Sequence, residues 1–280
     1  MNTPIELLFL GLPETGKTTY FVALDEVLQR QTDKHGLVSG GFSANRSYIE
    51  KAKKAWRAGK AVERTSLMTT DEQVELLVRH SKSNTTARLT APDVSGEFFD
   101  DQWADRKWAI SYRTRLASVA GVFVFINAAV SGRNPEMTEA WKNLPQGEMP
   151  TKPNPWTARA AAKQVKLVEL LQFISERGKT RQPLSLAIMI SAWDVIESEI
   201  SPKVRPEKFL EDEWSLLHQY LQANPELFRS RIYGVSARGG DDAAQTKLVQ
   251  LSPHERVWLK DGAEVTKDLT RPLRWLLDWD

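Results

Sequence analysis

The sequence predicts an α/β fold of three layers, a mostly parallel six-stranded sheet with one antiparallel edge strand and helices on both faces. Largely apolar runs of strand length recur at residues 5–10, 121–127 and 184–190, and the second is continuous up to Asn127, the kind buried on both sides of a sheet. Segments with helical apolar spacing stand between them. One polar turn, residues 81–86, joins the β-compatible runs 74–78 and 87–91, so a single hairpin interrupts an otherwise alternating order.

Taken in order, residues 5–10 run straight into Gly11, and Phe21, Leu24 and Leu28 set a helical stripe directly after Thr18. The glycine-dotted, polar stretch from 31 to 41 reads as a loop. Ile49, Ala52 and Trp56 recur at helical spacing with Gly59 as a C-cap, and this helix belongs to an insertion at about 32–62. The hairpin follows and ends in Pro92-Asp93-Val94-Ser95-Gly96-Glu97. A charged, aromatic-rich helix covers 98–118, and 121–127 is the sheet centre. Prolines at 135, 145, 150, 153 and 155 mark an exposed irregular insertion, 131–155. Asn154-Pro155 opens a helix, as an N-cap with proline at the first position, striped by Val165, Val168, Leu171 and Phe173 or Ile174. Residues 184–190 lead into Ser191-Ala192-Trp193-Asp194, and a helix from Pro206 carries Phe209, Glu213, Leu216, Leu217 and Tyr220. Residues 232–235 are the last strand, before Ser236-Ala237-Arg238-Gly239-Gly240. A third insertion, 241–268, is polar apart from a small hairpin at Val257-Trp258-Leu259, and a short helix from Pro272 closes the chain. With no internal repeat, low-complexity tract or interdomain linker, residues 1–280 read as one domain with three insertions.

Composition removes several classes of chemistry. Without cysteine there is no disulfide, thiolate metal site or cysteine nucleophile, and the four histidines are scattered away from metal-ligand spacing. Lys+Arg 38 against Asp+Glu 36 leaves a formal charge of +2, which does not indicate nucleic acid or a membrane surface as the main partner. The longest apolar stretch, 119–130, is too short to cross a bilayer and contains Asn127, and the N-terminal run lacks the basic flank of a signal peptide. A soluble, cytoplasmic protein without a membrane span is the expectation. Its ten tryptophans are spread over the whole chain, as core packing or partner contacts.

Gly11-Leu12-Pro13-Glu14-Thr15-Gly16-Lys17-Thr18 matches the phosphate-binding pattern G-x-x-x-x-G-K-[ST] in full, in the strand–loop–helix setting it requires. The glycines let the backbone turn its N–H groups onto phosphate oxygens, and the following helix adds its positive end. Lys17 reaches the β- and γ-phosphates, and the Thr18 hydroxyl holds Mg²⁺. Glu14, Thr15, Gly16, Lys17, Thr18 and Thr19 complete the cradle, with Glu14 turned outward or toward a partner and Pro13 lacking an amide donor.

The series of this loop, Asp93-x-x-Gly96, a strand ending in x-x-x-Asp194, and Ser236-Ala237 resembles the motifs of Ras-like GTPases of the translation-factor-related class, over almost the whole chain. The tryptophan-rich helices and the ending Leu269-Thr270-Arg271-Pro272-Leu273-Arg274-Trp275-Leu276-Leu277 look like the bacterial double-GTPase families attached to conflict and defence systems. The resemblance implies a P-loop NTPase fold, and Mg²⁺-dependent hydrolysis of GTP to GDP and phosphate by a switch that answers to an effector, an activator or a second GTPase. It gives Asp93 the metal through water, Gly96 the γ-phosphate through its N–H, Asp194 the guanine N1 and N2 hydrogens, and the Ala237 N–H the guanine O6, with Ser236 beside it. A carboxylate facing two ring donors selects guanine, since adenine has none at those edges.

The departures concern rate and base choice. Ser191-Ala192-Trp193-Asp194 stands where the resembled families have Asn-Lys-x-Asp, so the lysine that covers the base is missing; Trp193 either stacks on the base in its place or packs beside the sheet. Glu97 occupies the position of the water-orienting glutamine, and is either a weak catalytic group or the first-turn acid of a helix. Thr65 is the switch threonine that closes over the metal, with Thr69 and Thr70 as alternatives, and Arg64 beside it either neutralises transition-state charge or is solvated. The expected activity is slow or partner-stimulated. An ATP-using P-loop enzyme and a non-hydrolysing interaction scaffold are the rival readings.

Overall fold

Every second residue of the central strands belongs to the same apolar cluster, and its neighbours to the other. Leu7, Phe9, Phe123, Phe125, Ala187 and Met189 face one side of the sheet, while Leu8, Leu10, Val124, Ile126, Ile188 and Ile190 face the opposite side. That period of two, with both phases apolar, is what a strand covered on both faces requires.

The computed structural model describes residues 3–30, 35–42, 46–62, 73–92, 118–129, 161–177, 183–199, 203–240 and 243–279. Among them one sheet contains β1 (Ile5–Gly11), β2 (Leu37–Phe42), β3 (Gln73–His80), β4 (Thr85–Pro92), β5 (Val119–Asn127), β6 (Leu184–Ser191), β7 (Phe228–Ser236), β8 (Trp258–Asp261) and β9 (Glu264–Thr266). Its order is β2-β3-β4-β1-β5-β6-β7-β8-β9. β4, β1, β5, β6 and β7 are parallel, and antiparallel pairs flank them on both sides. The helices described are α1 (Lys17–Arg30), α2 (Arg46–Arg57), α3 (Lys163–Arg177), α4 (Trp193–Glu199), α5 (Pro206–Glu213), α6 (Ser215–Ala223), α7 (Gln245–Gln250), α8 (Pro253–Arg256) and α9 (Arg271–Leu277).

The expected six strands with one antiparallel edge are therefore corrected to nine with antiparallel pairing at both edges. β2 is the segment read as a loop. Only Leu37 and Phe42 of its six residues are buried, because an edge strand has a single hydrogen-bonded neighbour and needs little apolar surface. β8 and β9 do form the small hairpin expected near 257–259, turning at Gly262 with φ 58°, but they extend the sheet beside β7. The helix expected from Pro206 is two helices, broken at Trp214, and Val165 of the expected α3 stripe is exposed where Leu167, Leu170, Leu171 and Ile174 are buried. The helix expected at 98–118 and the insertion at 131–155 lie outside the described residues, 118 aside.

α1 is enclosed on all sides: Tyr20, Phe21, Val22, Ala23 and Leu24 are each 0% exposed. Phe21 and Phe123 sit 4.2 and 4.5 Å from the Phe9 ring, and each side chain of this size contributes about 1.5–3 kcal/mol on burial. The Tyr20 hydroxyl donates to the Leu269 carbonyl at 2.7 Å, fastening α1 to the turn before α9. Burial first, then the charges of Asp268 and Tyr233, holds that hydroxyl well above its ordinary pKa, so it stays a donor. The next turn of α1 buries two acids. Lys53 meets Asp25 at 2.6 Å, Gln29 and Ser39 also donate to that carboxylate, and Arg57 reaches Glu26 through two nitrogens at 2.7 and 3.1 Å. α2 is thus bound to α1 by two ion pairs whose acidic members are excluded from water.

Removing one partner of such a pair leaves a buried charge. Lys53→Met is expected to cost about 3–5 kcal/mol of folding stability, and adding Asp25→Asn to it to recover most of that, in urea unfolding followed by circular dichroism.

Candidate nucleotide-binding site

The parallel register brings four strand ends to one edge: Gly11 pairs with Phe125, Asn127 with Ser191, and Ser191 with Val235. In open α/β sheets ligands bind beyond these carboxyl ends.

The loop between β1 and α1 is folded by its glycines. Gly11 has φ 145°, and a Cβ there would lie 2.6 Å from the Phe125 carbonyl oxygen. Gly16 has φ 81°, and its Cβ would lie 3.0 Å from the Ser191 Cβ, so the start of α1 rests on the tip of β6. Glu14, exposed, turns the loop with φ 62°. The Thr15 hydroxyl donates to the Leu12 carbonyl at 2.8 Å. Lys17 Nζ donates to the Gly11 and Leu12 carbonyls, both at 2.8 Å, which holds the ammonium over the loop. Thr18 and Thr19 stand in the first turn of α1, which contains no acidic residue to offset the positive end of the helix.

A second constellation forms where β6 and β7 end. Ala192, with φ 53°, turns the chain into α4, and Asp194 lies in the first turn of that helix. Ser236 donates to Asp194 Oδ1 at 2.7 Å and accepts from the Gly239 N–H at 3.2 Å, which orients the carboxylate. Trp193 is 0% exposed: its ring lies against Gly234, where a Cβ would come within 2.4 Å of it, and stands edge-on to Phe209 at 5.6 Å. Stacking of Trp193 on a base is corrected accordingly, since the indole is packed into the core beneath β7. The Ala237 carbonyl accepts from Trp56 Nε1 at 2.8 Å. Further bonds fix α2 to this loop: Arg256 donates to the Trp56 and Arg57 carbonyls at 3.0 and 3.1 Å, Gln245 to Ala58 at 3.1 Å, and Arg238 to Gly59 at 2.8 and 3.2 Å.

The structure thus joins Gly11 to Thr19 with Ser191, and Asp194 with Ser236. Arg64, Thr65, Asp93, Gly96 and Glu97 lie outside the described residues. Asn127, which no motif singled out, donates from Nδ2 to the Glu14 carbonyl at 3.0 Å; its only signal in the sequence was a polar residue ending an apolar run. The cradle suits a phosphate, since the loop's lysine and the start of α1, which has no acid in its first turn, are both positive. Thr18 would hold Mg²⁺ there together with phosphate oxygens. No group of three or more acids or histidines that could hold a metal alone occurs among the described residues. A cleft of about 350 Å³ near α9, lined by His35, Asp268, Arg271 and Arg274 among others, includes none of these residues, and its charges are largely paired with one another. No helix among the described residues is long and apolar enough to cross a membrane.

Residues 8–276 match the protein family described as Double-GTPase 1. No curated protein matches the sequence. Similar solved structures include a bacterial selenocysteine-specific elongation factor EF-Sec, at 14% identity and TM-score 0.40 over 89% of this chain and 28% of that one. The GTPase-like domain of Ski7 from S. cerevisiae, bound to GTP, is similar at 16% identity and TM-score 0.45 over 85% and 43%, and the G domain of the T. maritima FeoB iron transporter at 11% and 0.33 over 89% and 98%. The chain spans less than half the length of the first two.

Gly16→Ala is expected to lower unfolding free energy by about 1–2 kcal/mol and triphosphate affinity by about tenfold or more. Gly41→Ala, at φ 79° with nothing within 4 Å of the added carbon, shares only the backbone cost. Paired urea melts and nucleotide titrations separate the two effects.

Proposed function

The chain belongs to the Double-GTPase 1 family, and from that premise we propose a nucleotide-dependent switch that binds GTP with Mg²⁺ and hydrolyses it to GDP and phosphate. The observation that carries the reading is the pair Asp194 and Ser236 at the strand ends beside the phosphate loop. One carboxylate oxygen is held by the serine, so the group presents a fixed acceptor edge to a base with two adjacent ring donors, which guanine has and adenine lacks. The Ala237 N–H meets O6.

Lys17 balances charge that develops on the β- and γ-phosphate oxygens as water attacks and the bridging bond breaks. Thr18, Asp93 through water and Thr65 would hold Mg²⁺, which would supply further neutralisation of the phosphate charge. Gly96 and Thr65 sense the γ-phosphate, and its loss releases them. Glu97 places the water and Arg64 neutralises the transition state. The acid at 97 works against a nearby γ-phosphate, which supports slow or partner-stimulated turnover, the partner being a protein effector, activator or second GTPase. A cytoplasmic role in bacterial defence or conflict, within a single GTPase domain, completes the proposal.

Ala192 in place of the base-covering lysine favours one second reading, an ATP-binding site in which Asp194 does not select the base. GTP, ATP and XTP titrations decide between them. GTP is expected to bind at least tenfold more tightly than ATP, and Asp194→Asn to shift preference toward XTP; equal binding of ATP and GTP with no shift in the variant refutes guanine selection. Intact GTP that co-purifies and releases no phosphate over hours refutes hydrolysis, and an unchanged single-turnover rate in Arg64→Ala removes the arginine from it.

A further inference from the structure

Asn127 ends β5, half-buried, one strand over from the phosphate loop it touches. Its side chain is used at both ends. Oδ1 accepts from the Ala129 N–H at 2.9 Å, so the other end must be the amide nitrogen, which donates to the Glu14 carbonyl at 3.0 Å. The two partners together fix the orientation of the group.

The residue it holds is one of four non-glycine residues at positive φ among those described. Glu14 has φ 62°, a region that L side chains rarely adopt, and it sits at the apex of the loop. The peptide joining Glu14 to Thr15 is planar and trans, so its C=O and N–H point in opposite directions. With the carbonyl turned to Asn127, the Thr15 N–H points away from the tip of β5. Asn127 itself has a firm support: the Ala128 N–H donates to the Ser191 carbonyl at 2.9 Å, and Ser191 carries Gly16.

We propose that Asn127 is a positioning residue of the nucleotide site, which sets the Glu14–Thr15 peptide so that the Thr15 amide serves as a phosphate donor. The inference rests on the GTP-site reading given above. It concerns the β-phosphate end of the ligand, the part common to GTP and GDP. Pro13 has no N–H, so the aim of each remaining amide in the loop counts for more.

Asn127→Asp keeps the acceptor for Ala129 and replaces the donor to Glu14 with an oxygen, whereas Asn127→Ala removes both bonds. Nucleotide-free protein is titrated with GTP and with GDP, and dissociation of each is timed. Both variants are expected to bind the two nucleotides about tenfold more weakly, by a common factor and through faster dissociation, with the urea midpoint of the nucleotide-free protein unchanged. Asn127→Asp binding within twofold of wild type overturns the proposal, and so does a weakening accompanied by an equal loss of folding stability. Hydrogen exchange on the wild-type protein tests it without a variant: GDP should protect the Thr15 amide, and no protection there overturns the assignment. Wild-type protein that binds neither nucleotide overturns the GTP-site reading itself, a result distinct from variants that bind as wild type does.

Discussion

The contact on which the site depends is the one between Gly16 and Ser191, where the start of a helix meets the tip of a strand so closely that a Cβ on Gly16, at φ 81°, would lie 3.0 Å from the serine Cβ. Close approach there places the start of α1 over the parallel edge of the sheet, and it fixes how the loop from Gly11 must turn to reach it. Gly11 answers the same constraint at the other end, pressed on the Phe125 backbone. The phosphate loop is therefore held as much by β5 and β6 beneath it as by its own hydrogen bonds.

α2 extends that frame to the far end of the site. Its inner face meets the buried acids of α1, and the carbonyls at and just past its C-terminus are taken by Arg238, Gln245 and Arg256, while Trp56 holds Ala237. Helix ends leave carbonyls without partners, and cationic side chains are their natural complement. Here the donors, two arginines and a glutamine, come from the chain that follows Ser236. The segment between the phosphate-loop helix and β3 is in this way joined to the loop that carries Ala237.

The parts legible in the sequence are those specified locally. The phosphate loop has its whole pattern within eight residues, β5 and β6 are largely apolar runs of strand length, and the start of α9 is marked by Pro272. What escaped was set by partners distant in the chain. Asn127 acts on Glu14, 113 positions away, and nothing around it announces a hydrogen bond across a sheet. β2 lacks the apolar residues of a strand because its neighbour β3 supplies its order, and Trp193 took its place under Gly234 for lack of a side chain there. The substitution pattern at Ser191 and Ala192 pointed to a modified base site but could not say where the adjoining indole would go.

The outer strands bear on how the molecule meets others. An open sheet offers unpaired N–H and C=O groups along each margin, which invites another chain to add a strand. β2 breaks its ladder with an irregularity between Ser39 and Gly41, and β9 is only three residues long, with Glu264 exposed along it. Both margins are thus poor templates for strand addition. Among the described residues, sheet-to-sheet association is therefore disfavoured at either end of the nine strands.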